Sequence, residues 1–442
     1  MEANYIAKWN GDGWSPLGSG MNFPVNCLTV FDDGSGPALY AGGSFTSAGG
    51  VPASRIAKWN GASWSPLGSG MSSTVYALTV FDDGSGPALF AGGGFTTAGD
   101  VESSRIAKWN GSSWSPLGAG VSDGTTVTAV YALTVFDDDS GPALYAGGDF
   151  SSAGGVTASR IAKWDGNSWC PLGGGVNDSV RAMTVFDDGS GPALYVGGDF
   201  TNAANGKVAA SRIAKCDGIR WSPLDIGMSN GWVSALTVFD DGSGPALYAG
   251  GFFTTAGGVP ANSIAKWNGS SWSALGIGMN NTVFDLTVFD DGVGAALFAG
   301  GLFTTAGGEA ASRIGKWSGS NWSPLGSGIS AGPFVSMVLA VTVFGDGSGP
   351  ALYAGGNFST AGGVLSSGIA VWGGCPRVLG DLNCDGAADV LDINPFVLAL
   401  IDPVGYAAMF PDCNILNGDI DGDGHTTVLD INPFVDLLLS GC

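Results

Sequence analysis

The chain has 442 residues, 77 of them glycine and 15 tryptophan, with 45% hydrophobic residues and a net charge of −22 from 16 basic and 38 acidic side chains. This aromatic and apolar content excludes disorder, and the glycines lack the every-third-residue period of collagen. The acidic surplus excludes nucleic acid, where phosphate contacts dominate affinity, and anionic membranes as partners, but it suits calcium. No apolar run reaches the roughly 20 residues that a membrane helix needs. The single histidine, His425, leaves everything before it without the commonest acid–base catalyst.

From the N-terminus, Met1-Glu2-Ala3-Asn4 leads straight into a repeat. Ile-Ala-Lys-Trp starts at Ile6, Ile56, Ile106, Ile161 and Ile264, and in altered form at Ile213, Ile314 and Ile369, so the period is 50 to 55 residues. A second motif, Thr-Val-Phe-Asp-Asp-Gly-Ser-Gly-Pro-Ala-Leu-Tyr-Ala-Gly-Gly, starts at Thr29 and recurs near Thr79, Thr134, Thr184, Thr237, Thr287 and Thr342. Each unit reads as four short strands: A over 28–31, B over 38–41, C over 55–59 and D over 64–67 in the first unit. Asp32-Asp33-Gly34-Ser35-Gly36 turns A into B, and Asn60-Gly61 turns C into D. Four strands per unit, repeated seven times, predict a mainly β fold: a seven-bladed β-propeller over residues 1–374, whose radial closure removes exposed sheet edges.

The unit resembles a kelch-type repeat, through the double glycine after strand B (Gly42-Gly43), the aromatic before it (Tyr40), and the tryptophan ending strand C (Trp59). The resemblance covers residues 5–373 and implies the fold rather than an activity. There are seven A–B pairs but eight C motifs, and the last unit stops after Ile369–Trp372. The spare N-terminal strand D, Trp14–Leu17, is therefore expected to complete the seventh blade, leaving Ile6–Trp9 redundant and displaced.

Fourteen of the 15 tryptophans fall in two repeat slots, headed by Trp9 and Trp14, with Cys216 replacing tryptophan once. One ring per blade reads as packing between blades, because a ligand site does not need the same ring everywhere. The repeat lysines, and arginines 55, 105, 160, 212 and 313, are expected to pair with acidic turn residues of their own or the next blade. The Asp-Asp-Gly turns follow from turn preference alone.

The differences between repeats are positioned. The A–B and C–D turns, on one face, are nearly identical in every unit. Length changes fall on the opposite face, around Ser122–Ala129, Asn205–Val208, Gly231 and Ala331–Val338. One slot there, at the start of strand A, holds Asn26, Tyr76, Tyr131, Arg181, Ser234, Phe284 and Leu339, and Trp232 lies beside it. This face is the expected partner-binding surface, through Tyr76, Tyr131, Arg181, Trp232 and Phe284, since loops on a rigid scaffold carry function.

After Gly374-Cys375 the repeat ends, and residues 375–442 read as a second, small α-helical module. Asp381, Asn383, Asp385, Ala387, Asp389 and Asp392, and again Asp419, Asp421, Asp423, His425, Thr427 and Asp430, occupy positions 1, 3, 5, 7, 9 and 12 of calcium loops. Gly386 and Gly424 stand at position 6, where the chain turns sharply. Position 7 offers only its carbonyl, so His425 is a ligand by its backbone. Two calcium ions are expected, each loop running into a short helix, 396–400 and 434–439. Tandem loops of this kind, with one following helix each and aspartate at position 12, resemble a type I dockerin module. That resemblance implies a cohesin-like protein anchor, recognised by Val390, Leu391, Val428 and Leu429.

Cys375, Cys384, Cys413 and Cys442 suggest two disulfides and an oxidising compartment, with the export signal lying outside this sequence. Three pairings are open; Cys375–Cys442 with Cys384–Cys413 is favoured. The expectation is a non-enzymatic secreted or cell-surface protein that binds a protein or a cell-surface glycan. Two alternatives stand beside it. One is a carbohydrate-active enzyme drawing on Asp123, Asp178, Asp225, Asp285 or Glu309, with Asp285 foremost because alanine or cysteine fills its slot elsewhere. The other is a self-assembling surface-layer or filament protein.

Overall fold

The computed structural model describes residues 17–124, 128–292, 294–330, 335–347, 349–362 and 393–402, with 406, 409, 426 and 431, and the backbone alone of 6–9, 14–15, 364–365 and 369–372. The apolar β-branched and aromatic residues of the repeat form strands where the turn signals place them. In the first unit, strand A (Val25–Asp32), strand B (Pro37–Gly43), strand C (Ile56–Trp59) and strand D (Trp64–Pro66) pair in that order, antiparallel throughout. Among the described residues there are six such four-stranded sheets and one of five strands, besides small two- and three-stranded ones.

Each strand A packs on the strand A of the next unit, and the first, Val25–Asp32, also packs on the last, Met337–Gly345. The core lies between sheets. Phe31, Tyr40 and Ile56 of the first cluster with Val75, Leu89, Trp109 and Trp114 of the second, and Phe344 and Tyr353 of the last cluster with Val25, Leu39 and Trp59 of the first. The arrangement is that of repeated four-stranded sheets, consistent with a propeller.

The five-stranded sheet corrects the expectation for the N-terminus. Ile6–Trp9 is not displaced: it pairs parallel to Ile369–Trp372, with Ile6 opposite Ile369 and Ala7 opposite Ala370. Trp14–Ser15 then pairs antiparallel with Ile6–Trp9, forming the outer edge. The duplicate strand C finds a partner because an unpaired strand edge leaves backbone donors and acceptors unsatisfied. The sequence reading also missed two-residue strands such as Ser47–Ala48 and Val51–Pro52, which make a hairpin between B and C in each unit.

Both tryptophan slots are core. Trp59 and Trp64 lie 5.4 Å apart, and equivalent pairs recur at 5.2 to 5.4 Å. The Trp64 indole N–H donates to the Leu17 carbonyl at 3.2 Å, and Trp114, Trp169, Trp221, Trp272 and Trp322 repeat this bond to the preceding unit. The buried Nε1 atoms of Trp59, Trp109, Trp164, Trp267 and Trp317 have no partner among the described residues. That slot is held by packing, which is why a buried Cys216 can stand in it.

The lysines behave as expected. Lys58 bonds Asp33 at 2.6 Å, and Lys108, Lys163, Lys215, Lys266 and Lys316 each pair with the matching turn aspartate. The arginines do not. Arg55, Arg105, Arg160, Arg212 and Arg313 sit in the left-handed region, with φ between 66° and 68°. Arg105, Arg212 and Arg313 direct Nε to a carbonyl in the next unit: those of Thr128, Gly231 and Ser336. Among the described residues, Arg160 alone of the five meets a carboxylate, Asp149 at 3.2 Å. The left-handed backbone turns these side chains away from the acidic turns and across the joint between sheets.

Beyond the repeats, one helix is described, Ile393–Ile401, three residues earlier in onset than expected, with Pro395 in its first turn and Phe396 and Ala399 buried. No helix among the described residues is long and apolar enough to cross a membrane.

Candidate functional site

The variable slot has a structural cause. In the first sheet Val25 pairs with Gly43 and Cys27 with Gly42, so Asn26 is an extra residue, a β-bulge. The same irregularity falls on Tyr76, Tyr131, Arg181, Ser234, Phe284 and Leu339 in the other six sheets. A bulge re-aims its side chain and releases it from the ladder. The strand is thus held by its neighbours while this one position is free to vary.

The double glycine makes the bulge possible. A Cβ on Gly43 would lie 2.2 Å from the Pro24 carbonyl oxygen, and one on Gly42 would lie 2.7 Å from Val75 of the next sheet. The first glycine admits the neighbouring sheet, and the second admits the bulged backbone.

Four of the five predicted surface residues are brought together. Tyr76 and Tyr131 meet edge-on at 5.3 Å. The Arg181 guanidinium lies 5.9 Å from the Tyr131 ring and 5.5 Å from the Trp232 ring. Trp232 lies against Phe252, ring centroids 5.3 Å apart and tilted by 36°. The result is a continuous run, Tyr76–Tyr131–Arg181–Trp232–Phe252, spanning four consecutive sheets. Arg181 is steered by a 2.6 Å ion pair to Asp199, and its side chain remains 40% exposed. Phe252 is 43% exposed. Burial raises the Tyr131 hydroxyl above the ordinary phenol range, with the Asp149 carboxylate adding to it, so it stays a neutral donor. Each guanidinium–ring contact at such exposure contributes about 0.5–1 kcal/mol. Phe284 occupies the bulge of the sixth sheet, half-buried, and no ring contact joins it to the run among the described residues.

Phe252 and Asp199 escaped the sequence reading. They occupy the residue directly after the double glycine, which reads Ser44, Gly94, Asp149, Asp199, Phe252, Leu302 and Asn357. This second variable slot pairs with the residue two before the bulge: Trp232, opposite Phe252, precedes the Ser234 bulge by two. The variability was visible in the repeat alignment; the cross-strand register that joins the two slots was not.

Of the candidate acids, Asp178, Asp225 and Glu309 are exposed, and Asp123 accepts a hydrogen bond from the Thr128 hydroxyl. Asp285 differs. Its two oxygens accept the backbone N–H of Leu286 at 2.9 Å and of Val341, in the next sheet, at 2.8 Å. Enclosure by the inner strands nonetheless raises its carboxyl to about 7, against the two backbone donors. Cys27, in the equivalent slot of the first sheet, has its thiol pushed up by burial, with a smaller contribution from the Asp285 charge.

Both expected calcium loops, apart from Thr426, lie outside the described residues, as do Val390, Leu391, Val428, Leu429 and the four C-terminal cysteines. Among the described residues Cys27, Cys170 and Cys216 are free thiols.

No family description matches the sequence, and no curated protein is similar to it. Among solved structures, the extracellular domain of a putative one component system, BT4673 of B. thetaiotaomicron, is similar at 10% identity and a TM-score of 0.48, over 84% of this chain and 40% of that one. An ancestral GH74 enzyme is similar at 14% identity and a TM-score of 0.42, over 83% of this chain and 48% of that one. This chain thus spans less than half the length of either structure.

Proposed function

We propose that this chain is a non-enzymatic binding protein that works outside the cell. Its repeats close a seven-bladed, kelch-like propeller whose variable face holds a protein or glycan partner. Residues 375–442 form a dockerin-like module that takes two calcium ions and tethers the propeller to a protein anchor. The observation that carries the binding reading is the run Tyr76–Tyr131–Arg181–Trp232–Phe252. Half-exposed aromatic rings and an arginine, placed on and beside the bulges of a rigid scaffold, are the residue types that dominate binding energy at interfaces.

Replacing Tyr131, Arg181 and Trp232 together with alanine is expected to weaken binding at least tenfold on arrays of oligosaccharides and peptides, with the melting temperature nearly unchanged. Unaltered binding would remove the face from the proposal. The tether is tested separately. Calorimetric titration of the oxidised full chain with calcium is expected to give two sites, absent from a variant with Asp381, Asp385, Asp419 and Asp423 all changed to alanine. A flat titration would leave the module without its metal.

A second reading, a carbohydrate-active enzyme, draws on one observation: the Asp285 carboxyl is raised towards neutrality, as a general acid requires. Two backbone N–H groups hold this carboxyl, and glycoside hydrolysis would ordinarily need a second carboxylate about 5–9.5 Å from it. Turnover of a polysaccharide that Asp285→Asn abolishes would favour this reading over binding.

A further inference from the structure

The arginine slot is broken twice, by Gly368 in the seventh unit and, among the described residues, by Ser263 in the fifth. In the fifth unit the residue at the position of Arg55, Arg105, Arg160, Arg212 and Arg313 is Ser263. Its backbone is unchanged, with φ of 61° against 66° to 68° for the arginines, and its N–H still donates to the Phe253 carbonyl at 2.9 Å. Only the guanidinium is missing. What that group does elsewhere is plain. Nε of Arg105, Arg212 and Arg313 reaches the carbonyl two residues before the first buried valine of the next strand A. Nη1 of Arg55, Arg212 and Arg313 reaches the carbonyl of the phenylalanine on its own sheet, 2.9 to 3.4 Å away.

In the fifth unit the corresponding carbonyls belong to Asn281, two residues before Val283, and to Phe253. Both residues line an open cavity of about 390 Å³ at the joint between the fifth and sixth sheets, together with Ser263, Asn280, Ile277 and Phe252. None of its lining residues is charged. The rim carries two exposed apolar side chains, Ile277 at 64% and Phe252 at 43%. Phe252 is also the last member of the aromatic run.

We propose that this cavity receives an arginine side chain from a partner protein. The repeat itself shows what the slot accepts: a guanidinium donating to two backbone carbonyls in a fork that lysine cannot reproduce. Ile277 and Phe252 would cover its apolar stem, and the chain's charge of −22 would draw a basic segment towards it. The inference rests on the reading of this face as the partner-binding surface and gives the partner its chemistry.

The test uses the full chain and hexapeptides with one central arginine, lysine or citrulline, followed by fluorescence anisotropy. Arginine peptides are expected to bind at least tenfold more tightly than the other two. Ser263→Arg restores the residue that the repeat carries elsewhere, on a backbone that already suits it, and is expected to abolish this binding. Ser263→Gly, which leaves the slot open, is expected to retain it, and Phe252→Ala to weaken it. Arginine peptides binding Ser263→Arg as well as the unaltered chain would overturn the inference, as would equal binding of citrulline peptides. Binding of free arginine as tight as that of the peptides would overturn the assignment to a protein partner. If only neutral oligosaccharides bind, and the Tyr131, Arg181 and Trp232 variant loses them, the face stands and the arginine slot fails. If arginine peptides bind that variant normally but not Ser263→Arg, the slot stands and the aromatic run fails.

Discussion

Changing Gly197 to alanine is expected to cost about 3 kcal/mol or more, measured as a loss in urea-unfolding free energy. The added Cβ would sit 2.5 Å from Cγ1 and 3.0 Å from Cβ of Val233, a fully buried residue of the next sheet. Neither partner can yield, since Gly197 is in a central strand and Val233 is fixed by pairing in the strand Trp232–Asp240, next to the Ser234 bulge. The two sheets must separate, and every contact in their shared core loosens with them. Gly94 is the matched control. It follows a double glycine, its φ is not left-handed, and the nearest atom to an added Cβ is the Ser73 hydroxyl at 3.6 Å. Gly94→Ala is expected to be nearly silent. Equal effects at the two sites would refute the idea that the first glycine of each pair sets the distance between sheets.

Acid is expected to strip stability from many sheets at once. Asp33, Asp138, Asp188 and Asp241 are each partly buried, which by itself would raise their carboxyls. The ammonium of Lys58, Lys163, Lys215 or Lys266, with a serine and a tyrosine hydroxyl, overrides burial and holds them low, Asp138 at about 2. A carboxyl lower in the folded than in the unfolded state contributes its full stabilisation above the unfolded value near 4. That contribution is lost as pH falls from about 4 towards 2. The urea midpoint is therefore expected to fall steeply across that window, not between pH 5 and 7. Lys163→Met should lower stability at pH 7 by about 2 kcal/mol, because it removes the charged donor from a partly buried carboxylate that keeps only its bonds from Ser140 and the Tyr145 hydroxyl. It should also flatten the acid limb by one site's share. An acid limb unchanged in Lys163→Met would assign the pH dependence to other groups.

How legible all this was in the sequence depends on what repeats. The four strands and their turns recur seven times, so any reading error in one unit is corrected by the others. The lysine–aspartate pairs and the tryptophan core follow from the same redundancy. The bulge at Tyr131 and its equivalents was visible only as variability, because nothing in one strand's sequence reveals the partner's register. The two-residue hairpins have no period to detect. The arginines misled because charge complementarity pointed to Asp-Asp-Gly, whereas a left-handed φ, which propensity assigns to glycine or asparagine, sends Arg105 and Arg313 to carbonyls across the joint. Ile6–Trp9 misled because counting strands gives no account of a sheet that takes one more.

That extra strand bears on how the molecule would carry mechanical load. Ile6–Trp9 and Ile369–Trp372 run side by side in the same direction, so the N-terminal side of the chain leaves this pair at one end and the C-terminal side at the other. A pull on the two termini therefore slides the strands along each other, loading their hydrogen bonds together instead of peeling them one at a time. Stretched between two attachments, the chain would resist at this seam first, and the remaining six sheets, each built from one continuous stretch, would bear force only after the seam had sheared.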